Sequence, residues 1–338
     1  MSKSNYIIPI FVPHLGCPHD CVFCNQREIT GVTKDLSQEE VLAKINEYLS
    51  TIPKTATRIE VAFYGGSFTG IDPKYQLELL SVAKIFLDKG DITGIRLSTR
   101  PDYIDLEILD RLKEYGVGTI ELGVQSLDDD VLTAAIRGHS RADVKKAVSL
   151  IKEYDFKLGL QVMPGLPNST ETSDLDTVTE VIKLNPDFVR IYPTLVIKNT
   201  QLAKLYKAGK YEPLSLAEAV AISAQLVENF KKAGIDIIRV GLQPSEGVNS
   251  TEVLAGPFHP SFRQLVESKL LLNKIEDEIR EKTINKLELT VNSKDISNLR
   301  GQKNSNLEYL YNHYKLQEII IKDDDTLARG KIKINVIY

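Results

Sequence analysis

The chain of 338 residues has three cysteines, and all of them fall in one segment, Cys17-Pro18-His19-Asp20-Cys21-Val22-Phe23-Cys24. Three thiolates spaced C-x3-C-x2-C suit three irons of a 4Fe–4S cube and leave the fourth iron open to chemistry. The odd count and tight clustering argue against a disulfide framework and for reduced thiolate ligands. A zinc site of three cysteines with His14 or His19 is the competing metal reading, and free thiols without a ligand are the other. A second segment, Tyr64-Gly65-Gly66-Ser67-Phe68, carries paired glycines that allow a backbone to approach a ligand closely. Alone, such a pair also reads as a turn. Polar residues follow later strands: Gln125 in Gly123-Val124-Gln125-Ser126, Arg137 in Ile136-Arg137-Gly138-His139, and Gln161 before Val162-Met163-Pro164-Gly165.

Strands must carry these segments. The periodicity predicts strands over Tyr6–Val12, Arg58–Phe63, Gly94–Ser98, Gly118–Val124, Lys157–Val162 and Asp187–Tyr192. Helical periods lie between them, over Gln38–Leu49, Lys74–Leu87, Asp105–Tyr115, Asp143–Tyr154 and Ser173–Leu184. Ser37 with Glu40 three residues later marks a capped helix start, and Asn185-Pro186 closes the last helix. Alternation of this kind predicts an α/β fold, a partial (β/α)6 barrel with helices outside, and a doubly wound open sheet is the second choice. In a barrel, chemistry sits at the carboxyl ends of the strands, where the cysteine and Gly-Gly segments fall. The expected organisation is a barrel over 1–245, a connector and helix over 246–282, and a small α+β C-terminal unit over 283–338. Residues 200–232 read as helical, 235–240 as a short strand and 241–260 as irregular.

The ordered motifs resemble those of the S-adenosylmethionine radical enzymes. The resemblance implies that Cys17, Cys21 and Cys24 hold a 4Fe–4S cluster whose open iron binds S-adenosylmethionine. Reductive cleavage would then give a 5′-deoxyadenosyl radical that abstracts hydrogen from a substrate. Gly65, Gly66 and Ser67 match the family's Gly-Gly-Thr segment, which binds the methionine amino group. Gly123-Val124-Gln125-Ser126 is similar to a segment of oxygen-independent coproporphyrinogen III oxidases, which implies a cofactor contact for Gln125. The same likeness puts Arg137 on the methionine carboxylate. It puts Gln161 at the ribose hydroxyls, where those oxidases carry aspartate. Ser98-Thr99-Arg100-Pro101-Asp102 reads either as a helix-start loop or as part of the site.

Tyr192-Pro193-Thr194-Leu195-Val196-Ile197 resembles a segment in the radical domain of the Elongator catalytic subunit, as does Cys17-Pro18-His19. That branch implies tRNA modification, with tRNA and an electron donor such as flavodoxin or ferredoxin as partners. Two departures stand out: a shorter gap between the first cysteines, and no acetyltransferase domain after position 280. A net charge of −4 gives no general field for nucleic acid, so a radical enzyme acting on a small molecule or peptide is the alternative. A non-enzymatic iron–sulfur protein is the other; it leaves Gln125, Arg137 and the glycines without a task. No apolar run is long enough to span a bilayer, and Met1-Ser2-Lys3-Ser4 has no signal-peptide core, so a cytoplasmic protein without a membrane partner is expected. Arg190 and Tyr192 face either a substrate cavity or the helices. Gly256-Pro257-Phe258-His259-Pro260 reads as a rigid connector or as a lid.

Overall fold

Alternation settles the place of the first strand, β1 (Asn5–Val12): Ile8, Ile10 and Val12 are buried, whereas Ile7 and Phe11 are exposed. The computed structural model describes residues 5–12, 21–24, 36–244 and 248–338. Five βα steps follow. They comprise helix α1 (Gln38–Thr51), strand β2 (Arg58–Gly65), α2 (Pro73–Lys89), β3 (Gly94–Thr99) and α3 (Leu106–Glu114). Next come β4 (Val117–Gln125), α4 (Asp129–Ala134), α5 (Arg141–Glu153), β5 (Lys157–Val162), α6 (Glu171–Lys183) and β6 (Phe188–Ile191). A pair of short strands, β7 (Val196–Ile197) and a later partner, leaves the main sheet. Then follow α7 (Gln201–Lys207), α8 (Leu216–Lys232) and β8 (Asp236–Val240).

The main sheet runs β1-β2-β3-β4-β5-β6-β8, and every pairing in it is parallel. Neighbours in sequence are neighbours in space, so each crossover advances in one direction. The result is the curled, open half of a barrel that the alternation predicts, extended by β8. One sheet face is oily: Val61, Phe63, Ile95, Leu97, Ile120 and Leu122 are fully buried. The helices present matching stripes, such as Leu79, Leu80 and Ala83 on α2 and Leu109 and Leu112 on α3. Fully burying each such leucine or isoleucine contributes about 1.5–3 kcal/mol. The opposite face is polar and is treated below.

Local signals explain the boundaries. Ser37 Oγ accepts from Glu40 N–H at 3.2 Å while Glu40 accepts from Ser37 N–H at 2.7 Å, the expected capping box. The stretch 200–232, read as helical throughout, is two helices. Gly209 takes a left-handed φ of 65° just after α7, and Pro213 precedes α8. The stretch 241–260, read as irregular, contains strand β9 (Val253–Ala255), which pairs antiparallel with β7.

The chain divides into two compact units. One comprises residues 1–214 and 229–258; the other comprises 215–228 and 259–338. The second contains α9 (Phe262–Ile279), β10 (Lys286–Val291), α10 (Ile296–Arg300), α11 (Ser305–Tyr314), β11 (Glu318–Asp323) and β12 (Ile332–Ile337). Its sheet has the order β11-β10-β12, with β10 parallel to β11 and antiparallel to β12. Ile275 and Ile279 of α9 pack with Leu287, Leu289 and Val291 of β10, and Leu299 and Leu310 complete that core. Among the described residues no helix is long and apolar enough to cross a membrane.

One buried acid supports the turn after β5. Asp174 of α6 accepts from Gly165 N–H at 3.1 Å, and desolvation raises its pKa to about 7 despite that bond. In the window between the ordinary aspartate value and about 7, the native chain keeps a proton that the unfolded chain has released. Stability therefore falls as pH rises through that window. Asp174→Asn is expected to match wild type at about pH 4 and to melt at a higher temperature above about pH 7. Equal melting temperatures at both pH values would contradict this.

Candidate active site

The parallel register gathers the carboxyl ends of the strands. Val12, the last residue of β1, pairs with Gly65 at the end of β2. Gly65 has φ 110°, a conformation that suits glycine, and Gly66 and Ser67 are buried behind it. Ser67 O accepts from Gly70 N–H at 3.0 Å, which turns the chain into a single 3-10 turn, Phe68–Gly70. Cys17, His14 and His19 lie outside the described residues. Cys21 is buried and Cys24 half-buried, and Cys24 N–H donates to Cys21 O at 2.9 Å in a tight turn.

Val22, between these cysteines, anchors the loop. Its N–H donates to Ala135 O, just after α4, at 3.1 Å, and its carbonyl accepts from Leu202 N–H, in the first turn of α7, at 2.6 Å. Its side chain packs among Val131, Ala135, Met163, Leu166 and Leu202. An otherwise unpaired amide at a helix start is thus satisfied by the loop.

Arg137 stands beside the cysteine. Its Nη1 donates to Cys21 Sγ at 3.1 Å and its Nη2 to Gly123 O at 2.7 Å. Its Nε is buried and has no partner among the described residues. A buried cationic donor left open calls for an acceptor, and a ligand carboxylate is one. Gln125 lies next to it, with φ 69° where β4 slips register against β5 between Gly123 and Gln125. The slip re-aims the strand end. Gln125 Oε1 accepts from Gln161 Nε2 at 3.0 Å. A Cβ on Gly123 would sit 2.9 Å from Gln125 Nε2 and 3.4 Å from Arg137 Nη2, so glycine is what lets the two side chains converge. Cys21 and Arg137 are therefore linked by one short contact and Gln125 and Gln161 by another, the two pairs meet at Gly123, and the Gly65–Ser67 turn lies at the same end of the sheet. The polar set and the cysteine pair fit a sulfur-ligated cluster with an amino-acid ligand beside it.

A second tier lies behind Arg137. Arg100, which follows β3, grips Asp102 with Nε and Nη2 at 3.0 and 2.9 Å, and Nη2 also donates to the Arg137 carbonyl. Its Nη1 lies 3.9 Å from Cys21 Sγ. His139 is buried, with Nε2 3.2 Å from Val124 O, so Nε2 carries the proton. Burial, then Arg137 and Arg100, depress its pKa to about 3, so it is neutral at physiological pH.

The polar sheet face below holds a charged network that sequence reasoning missed. Glu121 on β4 accepts from Arg96 Nη1 at 3.2 Å, from Arg190 Nε at 2.6 Å and from Tyr64 Oη at 3.0 Å. Arg96 also pairs with Glu60 at 3.2 Å, and Arg190 donates to Tyr64 and Tyr192 at 2.9 and 3.1 Å. Arg190 and Tyr192 thus face the polar interior. Burial, then Glu121, pushes the Tyr64 pKa up to about 12, which keeps its hydroxyl a donor. Burial opposes the Arg190 charge, but Glu121 and the two tyrosines outweigh it and raise its pKa. A Cβ on Gly159 would lie 2.3 Å from Phe188 Cε2; without one, the Phe188 ring lies across β5, 5.4 Å from Arg96 Cζ. The available signal was a charged residue inside each of three buried parallel strands, Glu60, Arg96 and Glu121, where apolar runs are usual.

Comparison with known proteins agrees with this arrangement. The Radical SAM superfamily model matches residues 11–181, just over half of the chain, and the Radical SAM C-terminal domain matches residues 186–271. A tRNA uridine(34) acetyltransferase of Dehalococcoides mccartyi is 29% identical over 295 residues, covering 78% of this chain and 64% of that protein. Elongator complex protein 3 of Saccharomyces cerevisiae is 31% identical over 261 residues, covering 64% of this chain and 46% of that one. The chain thus spans about half to two-thirds of the length of the curated relatives it matches. The solved structure of Methanocaldococcus infernus Elp3 with an N-terminal deletion shares the fold, with a TM-score of 0.65 at 23% identity over 82% of this chain and 63% of that chain. The superfamily uses a 4Fe–4S cluster and S-adenosylmethionine, the two cofactors expected from the motifs. With a family model over half its length and the parallel half-barrel beneath it, the chain belongs to the Radical SAM superfamily.

Proposed function

We propose that this chain is a radical S-adenosylmethionine enzyme of the Elongator-like branch, acting on tRNA. The observation that carries the reading is the Arg137 guanidinium, whose Nη1 touches Cys21 Sγ at 3.1 Å, whose Nη2 holds Gly123 O at 2.7 Å, and whose buried Nε–H has no partner among the described residues. Cys17, Cys21 and Cys24 are the cluster ligands in this reading. A cluster held by these thiolates would, once reduced by a donor such as flavodoxin or ferredoxin, supply the electron for reductive cleavage of S-adenosylmethionine. The chain's own residues would hold that cofactor: the Gly65-Gly66-Ser67 backbone at its amino group, Arg137 at its carboxylate, Gln161 at its ribose, and Gln125 as a further contact. The polar face around Glu121, Arg190, Tyr64 and Tyr192 forms the floor on which a substrate sits, and its paired charges favour a polar, hydrogen-bonding substrate over an oily one. The tRNA assignment follows from the likeness to tRNA uridine(34) acetyltransferase and Elongator complex protein 3.

The test is anaerobic. Reconstituted, reduced protein should convert S-adenosylmethionine to 5′-deoxyadenosine and methionine. Arg137→Ala should weaken S-adenosylmethionine binding by roughly 10- to 100-fold, the loss of one charge-assisted bond of about 1.5–3 kcal/mol, while iron content stays unchanged. Wild-type affinity in Arg137→Ala and Gln125→Ala would remove these two residues from the site. Transfer RNA should bind with an affinity that falls steeply with salt. Undetectable or salt-insensitive binding would move the substrate to the small-molecule or peptide class.

A further inference from the structure

We infer that Arg100 and Asp102 form a charge-balanced brace that aims Arg137 and sets the reduction potential of the cluster at Cys21. The inference rests on the reading that Cys21 ligates a cluster. Two independent observations support it.

The first is backbone strain next to Arg137. Two residues past the end of helix α4, Ile136 has φ 52°, a left-handed conformation that a β-branched residue adopts at a cost. Such a residue stays there only when its surroundings over-determine it. Arg137 N–H reaches back to Leu132 O at 2.9 Å, and the Arg137 carbonyl is held by Arg100 Nη2. The turn is thus fixed on both sides of the Arg137 peptide, and the guanidinium is left pointing at Cys21 Sγ and Gly123 O.

The second is the charge placement. Arg100 is 3% exposed, its Nη1 is 3.9 Å from Cys21 Sγ, and its charge is matched by Asp102. Hydrogen bonds and positive charge at a cluster sulfur stabilise the reduced, more negative state and raise its potential. Asp102, on the side of Arg100 away from the sulfur contact, draws the potential back down. His139 is neutral and adds no charge of its own. Arg100 is a positioning residue here, not a catalytic one.

The opposite signs give the experiment. The full chain, with its cluster reconstituted, is titrated potentiometrically with the reduced cluster followed by its paramagnetic signal. Arg100→Gln removes the positive charge and should shift the midpoint to a more negative potential. Asp102→Asn removes the negative one and should shift it to a more positive potential. Arg100→Lys keeps the charge without the fork and should return most of the way to wild type. Asp102 is partly exposed and its substitution is the milder one, so the test survives if Arg100→Gln proves unstable. Midpoints that do not move, or that move in the same direction in Arg100→Gln and Asp102→Asn, overturn the brace and leave Arg100 a purely structural residue. Wild-type protein that takes up no iron overturns the cluster reading itself, and the inference falls with it.

Discussion

Cys21→Ala is expected to leave the chain without a stable cluster: iron should fall from about four per protein to near zero after anaerobic reconstitution. A cube held by three thiolates has no spare protein ligand, so losing one leaves two irons without protein ligands. The expected defect is larger at Cys21 than a missing ligand alone implies. Cys21 is 3% exposed, and its sulfur accepts from Arg137 at 3.1 Å, with Arg100 at 3.9 Å. An alanine there leaves two buried guanidinium groups facing a methyl. Cys17→Ala and Cys24→Ala should lose the cluster as well, with less effect on folding for Cys24, which is half-buried. Iron and sulfide analysis reads the result. Retention of a full cluster in any of the three variants would remove that cysteine from the ligand set, and zinc in place of iron in wild type would sink the proposal.

The second large effect is on stability. Glu121→Ala should destabilise the chain by about 3–5 kcal/mol, the cost of breaking a buried ion pair from one side. Arg96, Arg190 and Tyr64 all donate to this one carboxylate, and Glu121 is 5% exposed. Arg96 keeps Glu60 as a partner, but among the described residues Arg190 is left with the hydroxyls of Tyr64 and Tyr192. Glu121→Gln keeps an acceptor in place and should cost less. Denaturant midpoints at unchanged slope measure both. A loss below about 1 kcal/mol for Glu121→Ala would mean that water solvates the two arginines as well as the carboxylate does, and that the polar face is a wet chamber.

The strands were legible because each is a short apolar run between turn signals; β1, β3, β4, β5 and β8 lie within a residue or so of their expected bounds. The tail holds three further strands of the same kind. Alternation says that two faces differ, but it does not say which partner a residue meets across them. Glu60, Arg96 and Glu121 therefore could not be assembled into one network before the register was known, and Arg190 could be placed on neither face. The Arg100 contact with Cys21 joins a loop after β3 to one after β1, and no local signal reports it. The break in 200–232 was visible in Gly209 and Pro213 but was outweighed by the helical composition around them. Strands β7 and β9 are too short for periodicity to register. The Gly-Gly turn, Gln125, Arg137 and Gln161 were placed by resemblance, and the structure adds what touches them.

The two backbone bonds of Val22 bear on how the protein is made. The cysteine loop is synthesised before the residues that hold it, since the Val22 amide and carbonyl are satisfied by Ala135 and Leu202. While the chain is still on the ribosome, there is an interval in which the loop exists and those partners do not. The loop therefore spends that time untethered, its thiols open to water, stray metals and oxidants. A nascent chain truncated before Leu202 should hold Cys21 in reach of a thiol-reactive label, and protection should appear only after the start of α7 has emerged. Loading a metal cluster into a held loop is thereby delayed until Leu202 has been made.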